Sequence, residues 1–480
     1  MAIRGRLSAV TAQSERTLLV STVLLASALS AATGYLLTQY YSIDVLSSLT
    51  YWPEDCWGTW GTNIGRHCFG DYAMVVGAAT RADPWEPYQM LSPHAPLQMG
   101  FTAAVLPHLL FGLPAKWLGA PLLGLFGYQL ALTIAVLSPA VWAARGAQGI
   151  ERVAVFVALG AAAIPAWGVI DRGNSAGFLV PIALVFLVAL RRRRWGLATI
   201  MVVLAALVNP PFVVLAVALL AARQWRLGGF AVAGAVVVNL AAFLLWPREF
   251  PGSIGRSIHN VLTASGDFSM LVDLRNVSFA RGILFLPDYA ELALSGGKIP
   301  DGFLAGPRSL IGYVLLIVIV AAVLALGRRI PPVMVGIVLL ATATLFPPLA
   351  TFYHLVFALP VAALVVRDPE GPTGTGIFDQ LAAQGGRRRA VGIWVSLAAA
   401  LSIAQIALPG LIGYASIPGI GTRAFVLTTV FLTPFLWLIA VAVTLVSYVR
   451  KPVALGGSDQ VPAEEGPPDA AVSTPQLHPS

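Results

Sequence analysis

The sequence predicts an all-α polytopic membrane protein of about twelve transmembrane helices, and three observations carry that prediction. Of its 480 residues 57% are apolar and 11% charged, whereas a soluble protein has about 45–50% apolar and about 25% charged residues. The mean hydropathy is +0.79. Long apolar runs alternate with short loops in which Lys and Arg collect. Too little charge is present to coat a water-soluble surface of this size, which excludes a soluble enzyme and a nucleic-acid-binding domain in spite of the net charge of +8.

A transmembrane helix needs about 20 predominantly apolar residues. Such runs lie near 17–38, 119–144, 150–169, 175–190, 195–209, 211–222, 227–245, 309–327, 332–348, 350–366, 390–412 and 424–449. Basic residues flank them at Arg4/Arg6/Arg16, Arg145/Arg152, Arg191 to Arg194, Arg223/Arg226, Arg328/Arg329, Arg387 to Arg389 and Arg450/Lys451. Cytoplasmic loops are the ones enriched in Lys and Arg, so these loops and both termini are assigned to the cytoplasm of a plasma-membrane protein. The inside then holds 19 basic and 9 acidic residues, a net of +10, against −2 outside.

The run 97–117 reads as a re-entrant or interfacial helix pair broken by Pro107 and Pro114. Residues 1–16 form a cytoplasmic N-terminus too polar to belong to a cleaved signal, so the first span is retained as an anchor. Residues 17–451 form the membrane domain, and the Pro-, Gly- and acid-rich tail 452–480 is read as disordered. The glycine-rich Gly371–Gly376 lacks the Gly-Lys-Ser/Thr ending of a phosphate loop and reads as a flexible linker.

Chemistry-capable side chains concentrate in two external loops, about 40–118 and 246–308. His67, His94, His108, His259 and His354 all fall at or near the external face. Cys56 and Cys68 are the only cysteines; outside the cell they read as a disulfide, with a zinc site including His67 as the alternative that lacks metal-type spacing. Asp71 opens a helical stretch. It reads either as an acidic residue favoured by the helix dipole or as a general base whose pKa is raised beside an apolar surface. Trp52, Trp57, Trp60 and Trp85 form an interfacial belt or stack on a sugar. Arg256, His259, Arg275 and Arg281 are candidates for phosphate contact, since Arg offers a planar fork to phosphate. Asn276-Val277-Ser278 fits a glycosylation sequon but reads as packing near the site. No metal or other cofactor is required; Asp55 or Glu54 beside Asp71 has no diagnostic metal spacing.

Asp71-Tyr72, nine further positions and then Ala-Asp-Pro-Trp85-Glu-Pro-Tyr88 resemble the first extracytoplasmic loop of actinobacterial polyprenol-phosphate-dependent mannosyl- and arabinofuranosyltransferases. Asp171-Arg172-Gly173-Asn174, with the basic turn at Arg191 to Trp195 and Asn209-Pro210-Pro211, resembles that family's Gly-Gln-x-Asn region and the corner that follows it. Ala222-Arg223-Gln224-Trp225-Arg226 is similar to its basic turn, and Pro347 to His354 to its Pro-x-Ser-x-x-His segment. Arg172 stands where Gln is usual, Asn209 where Lys is usual, and His94-Ala95-Pro96 replaces a Tyr-Pro-Pro-like stretch.

The resemblance implies a GT-C membrane glycosyltransferase. It implies transfer of mannose or arabinofuranose from a polyprenyl-phosphate sugar to an envelope glycan or glycolipid at the external face, with inversion. Asp71 would be the base and His354 would meet the leaving phosphate, unless neighbouring helices satisfy that histidine. Arg172, Asn174 and Tyr353 would lie at the donor, and Trp85, Tyr88 and His94 at the acceptor or its sugar. A transporter or flippase of a lipid-linked precursor is the competing function, and a non-catalytic envelope scaffold the third.

Overall fold

The computed structural model of the chain describes residues 14–41, 69–81, 83–86, 103–246, 249–296, 299–383, 388–417 and 421–449. The helices in chain order are α1 (Glu15–Tyr41), α2 (Gly70–Ala79), α3 (Leu106–Trp117), α4 (Pro121–Ala144), α5 (Gly149–Phe156), α6 (Ile164–Arg172), α7 (Leu179–Arg191), α8 (Trp195–Val208), α9 (Ala216–Ala221) and α10 (Trp225–Ala242). They continue with α11 (Gly252–Ser265), α12 (Phe268–Val272), α13 (Phe279–Ile283), α14 (Phe285–Leu294), α15 (Ala305–Leu326), α16 (Pro332–Leu345), α17 (Ala358–Val366), α18 (Ile377–Ala383), α19 (Arg389–Ile403) and α20 (Thr433–Val449).

Every residue of α16 from Val333 to Leu345, and all of α17, is buried. A helix apolar on all sides must sit inside protein or lipid, and these two form the middle of the bundle. The longer helices ring them. Their outer flanks expose Leu25 on α1, Phe126 and Leu130 on α4, Phe230 and Val237 on α10, and Ile317 on α15. Apolar surface on that scale is stable only against hydrocarbon, and the chain is a helical membrane protein. Where α15 meets the end of α16, a Cβ on Gly312 would stand 1.8 Å from the Phe346 carbonyl oxygen, so only glycine permits this approach.

Among the described residues, five helices are long and apolar enough to cross a membrane: Glu15–Leu37, Pro121–Ala144, Trp225–Leu245, Ala305–Arg329 and Thr429–Val449. Gly149–Ala161 and Ile164–Arg172, bent by 47° at their junction, would make a sixth. Six shorter apolar helices of 10–17 residues occupy the other expected spans. At about 1.5 Å per residue such helices fall short of a hydrocarbon core about 30 Å thick.

Three expectations need correction. The apolar stretch 390–412 is not one helix: α19 ends at Ile403, and the chain forms an antiparallel hairpin of β1 (Ala407–Ile417) and β2 (Gly421–Thr428), with Ile412 opposite Val426 and Ile417 opposite Gly421. Pro409, Gly410 and Gly413 explain the change, because Pro and Gly disfavour a helix interior by about 3 and about 1 kcal/mol. The rest of the described chain is helical, in keeping with an all-α membrane protein.

Of the run 97–117, the described residues 103–117 form a short 3-10 turn, Ala103–Val105, leading into one helix, α3, which neither proline breaks. Pro107 lies at its first turn, where no amide hydrogen is needed, and Pro114 is accommodated inside it. The Gly371–Gly376 stretch is a docked turn and not a loose linker: the Gly374 amide donates to the Gly146 carbonyl at 2.9 Å, and the Asp368 amide to that of Thr375 at 2.9 Å.

That docking belongs to a basic end of the molecule. Arg191 pairs with Asp368 at 2.9 Å, Arg192 donates to the Pro369 carbonyl at 2.8 Å, Arg16 pairs with Glu151 at 2.6 Å, and Arg389 with Glu15 at 3.4 Å. Loops far apart in sequence but alike in positive charge therefore meet.

Candidate functional site

Asp71 lies in the first turn of α2, where the helix dipole favours a carboxylate. The residue before that helix, Phe69, holds a left-handed backbone with φ 44°. Such a conformation costs a non-glycine residue about 1–2 kcal/mol. Its amide donates to the Asp171 carbonyl at 3.0 Å, fastening the start of α2 to the end of α6. From that end come the partners of Asp71. Arg172 grips it with two bonds, Nε to Oδ2 at 3.2 Å and Nη2 to Oδ1 at 3.0 Å. Gly173 then turns the chain at φ 67°, a left-handed value that glycine adopts freely. Asn174 follows and acts twice: Oδ1 caps the next turn at the Ala176 amide, 2.9 Å, and Nδ2 donates to Asp71 Oδ2 at 2.7 Å. Capping and site contact coexist in one side chain.

The electrostatics reverse one expectation. Burial pushes the Asp71 carboxyl up, as supposed, but the Arg172 charge and the hydrogen bonds from Arg172 and Asn174 outweigh it and hold the group below the usual carboxylate range. Asp71 is an anion kept in place by two neighbours.

Behind the pair lies a layer that the loop motifs did not single out. Tyr128 of α4 donates through its hydroxyl to the Gly173 carbonyl at 2.9 Å. His108 Nε2 of α3 lies 3.1 Å from the same carbonyl and 3.0 Å from the Tyr128 hydroxyl. The two rings stack with centroids 4.9 Å apart, and Tyr72 packs on Tyr128 at 4.8 Å. Burial lowers His108 to about 4, so it is neutral at neutral pH. The only signal available in sequence was a lone polar residue within an apolar run.

His354 and Tyr353 approach from a third segment. α6 packs on the turn Phe352–Phe357, with Gly168 against the Phe352 ring. The Arg172 guanidinium lies 5.4 Å over the Tyr353 ring, whose centroid is 4.6 Å from that of His354. His354 stands within electrostatic reach of both Asp71 and Arg172. Its Nδ1 lies 3.2 Å from the Thr351 carbonyl and 3.4 Å from the Thr351 hydroxyl; a proton on Nδ1 serves the carbonyl and leaves Nε2 as the acceptor in the neutral ring.

Asn276 ties the second external segment to this turn. Its Nδ2 donates to the carbonyls of Pro348 at 2.9 Å and Leu271 at 3.2 Å, and its Oδ1 accepts from the amides of Ala350 at 3.1 Å and Ser278 at 3.0 Å. The sequon-like asparagine is buried and fully bonded, packed beside His354's turn.

The remaining candidates gather around other partners. Arg256 pairs with Asp83 at 2.5 Å and with Glu249, and lies 5.6 Å over the Trp85 ring. Trp85 is 1% exposed between Phe243 and Trp246. It fastens the loop in this structure and offers no open face to a sugar. Arg275 pairs with Asp273 at 2.5 Å. Arg281 pairs with Asp288 at 2.7 Å, and Arg308 pairs with the same carboxylate. His259 is exposed on α11. Cys56, Cys68, Tyr88 and His94, expected as a disulfide and as acceptor contacts, lie outside the described residues, as do Asp55 and Glu54.

A family model described as Glycosyltransferase family 87 matches residues 101–348, just over half of the chain. Neither a curated protein nor a solved structure shows a match. The matched stretch contains Arg172 and Asn174 and stops short of Asp71 and His354, which join it through the contacts above.

Proposed function

We propose a donor, a base and a working face for this chain, which belongs to glycosyltransferase family 87. It is a membrane glycosyltransferase. It moves a mannosyl or arabinofuranosyl residue from a polyprenyl-phosphate sugar to an envelope glycan or glycolipid acceptor, on the external side of the plasma membrane. The fold is of the GT-C kind with about twelve crossings and both termini inside, the shorter apolar helices crossing together with the turns that flank them. The observation that carries this reading is the ion pair of Asp71 with Arg172, oriented by Asn174 and facing the His354 turn. The contacts among the basic loops support the proposed inner face, because a positive end belongs to the cytoplasm.

In the proposed reaction the acceptor hydroxyl oxygen attacks the anomeric carbon. The bond from that carbon to the phosphate oxygen breaks, polyprenyl phosphate leaves with the electron pair, and the configuration inverts. Asp71 takes the hydroxyl proton; its Oδ1 accepts one bond, from Arg172, of the two a carboxylate oxygen can accept. A carboxylate below the usual range is a weak base but is fully ionised at neutral pH, and its fixed position supplies the orientation that general-base catalysis requires. His354, with Nδ1 held by Thr351, meets the leaving phosphate through Nε2, which takes a proton from solvent water and donates it as a hydrogen bond to the phosphate oxygen on which negative charge develops.

Membranes carrying the chain should transfer sugar from polyprenyl-phosphate mannose or polyprenyl-phosphate arabinofuranose, and Asp71→Asn should abolish that transfer. Undiminished transfer by Asp71→Asn removes the base assignment. Transfer from neither donor by the unaltered chain would turn the reading towards a flippase.

A further inference from the structure

Two consecutive residues of α4 face Gly173, and the catalytic proposal uses neither. Tyr128 holds the Gly173 carbonyl. Gln129 lies against its α-carbon: a methyl group placed on Gly173 would stand 3.1 Å from Gln129 Nε2 and 3.2 Å from Tyr72 Cβ. Gln129 therefore touches the backbone between Arg172 and Asn174, opposite the residue that follows Asp71. Both polar atoms of its amide, Oε1 and Nε2, are buried, and neither has a hydrogen-bond partner among the described residues.

That state is costly, because buried polar side-chain atoms are nearly always hydrogen-bonded and an unmet one forfeits its hydration without return. The cost falls on a helix whose sequence is otherwise apolar around this point, Leu125-Phe126-Gly127-Tyr128-Gln129-Leu130-Ala131-Leu132. Gln129 stands in the third turn of a membrane-crossing helix, about 12 Å from its start. A polar residue inside a membrane segment marks a functional position more often than a structural one. Its chemistry is also informative. A primary amide offers both an acceptor and donors and carries no charge, which matches a hydroxyl group, itself donor and acceptor, better than a phosphate, whose oxygens only accept and whose charge it does not neutralise.

We infer that Gln129 is a substrate-binding residue that hydrogen-bonds a sugar hydroxyl beside the Asp71–Arg172 pair. The inference rests on the sugar-transfer reading above and adds to it the group that recognises the sugar. The hydroxyl belongs either to the transferred sugar or to the acceptor sugar.

Gln129→Met keeps the length of the side chain and removes both polar atoms. Since it deletes an unpaired buried amide, the full chain in detergent should melt at the same temperature or higher. With polyprenyl-phosphate mannose or arabinofuranose as donor and octyl mannoside as acceptor, kcat/KM should fall by about 10- to 100-fold, as a site built to bond a hydroxyl discriminates by its hydrogen bonds. Monodeoxy forms of donor and acceptor then locate the partner. One of them should lose a similar factor with the unaltered chain and lose nothing further with Gln129→Met. If it is a donor analogue the hydroxyl is on the transferred sugar, and if an acceptor analogue it is on the acceptor.

An unchanged kcat/KM, or an equal loss with every analogue, overturns the inference while leaving sugar transfer standing. A fall in melting temperature matching the loss of activity makes Gln129 structural and also overturns it. Transfer by the unaltered chain from neither donor withdraws the sugar-transfer reading and this inference with it.

Discussion

Asp71 and Asp288 are two aspartates in the first turns of short helices, and both are held by arginine. Asp288 receives Arg281 and Arg308; the three are 2%, 6% and 2% exposed. The bonds its carboxylate accepts come from two cations, and the cluster is sealed with an excess positive charge. Asp71 is 8% exposed and receives one arginine and one neutral amide, so its charge is balanced without a second cation. Its arginine is 21% exposed at the side chain and lies on Tyr353 next to His354. The same pair of residue types is thus a sealed lock in one place and, in the other, a buried anion whose arginine is partly open. What separates them is the second donor and the access of the arginine, not the carboxylate.

The sharpest way to break that comparison is to remove each carboxylate in turn. Asp288→Asn leaves two buried guanidiniums without their anion. Breaking a buried pair in this way costs about 3–5 kcal/mol, so the detergent-solubilised chain should lose most of its folded fraction in a thermal melt. Asp71→Asn should melt close to the unaltered chain, yet lower the transfer rate by about 10²- to 10⁴-fold, the range of a lost general base. An inactive but folded Asp288→Asn, or an unfolded Asp71→Asn, would exchange the two roles.

A smaller effect should distinguish the neutral donor. Asn174→Ala removes one of the interactions that lower the Asp71 pKa and leaves burial, which raises it, less opposed. The acidic limb of the pH–rate profile should therefore move to higher pH. In the unaltered chain it lies below the ordinary carboxylate value of about 3.9. The sign for stability is the same. A carboxylate lowered on folding contributes stability above its unfolded pKa and loses it as the pH falls through the folded one. Asn174→Ala should consequently unfold at a less acid pH. A limb that does not move would mean that Asp71 does not govern it.

How far these features were legible in the sequence depends on their range. Apolar runs and basic loops are local, and each expected span coincides with an apolar helix or a helix fragment. The stretch through Pro409 and Gly413 misled because it is as apolar as a span, although its proline and glycines disfavour a helix. Asp71 stands out as a loop carboxylate and His354 as an external histidine, while Arg172 and Asn174 stand out through the resemblance. That Arg172 reaches back across 101 positions to the carboxylate is a property of the fold. The direction of the Asp71 shift was misjudged for the same reason: the apolar surroundings are visible in sequence, the approaching guanidinium is not. His108, Tyr128 and Gln129 have no spacing signature at all. Each is a polar residue in an apolar helix, whose meaning appears only when α3 and α4 are laid against Gly173.

The smallest expected effect tests whether the Asp71 site is layered in a way that the Asp288 cluster is not. Tyr128 touches neither Asp71 nor Arg172 through its hydroxyl; it holds the carbonyl of the glycine between Arg172 and Asn174. Tyr128→Phe keeps the ring that stacks on His108 and packs on Tyr72, and removes one of two donors within reach of that carbonyl, His108 Nε2 being the other. A net hydrogen bond contributes about 0.5–1.5 kcal/mol, which corresponds to a fall in kcat/KM of about 2- to 12-fold at most. Because His108 can take over, the lower end is expected, about threefold, with little change in melting temperature. His108→Ala together with Tyr128→Phe should then cost more than the two single changes combined, since the carbonyl loses its last donor. Additive losses would mean that the Gly173 carbonyl needs no support from α3 and α4, and that Arg172 and Asn174 alone keep the Asp71 carboxylate in position.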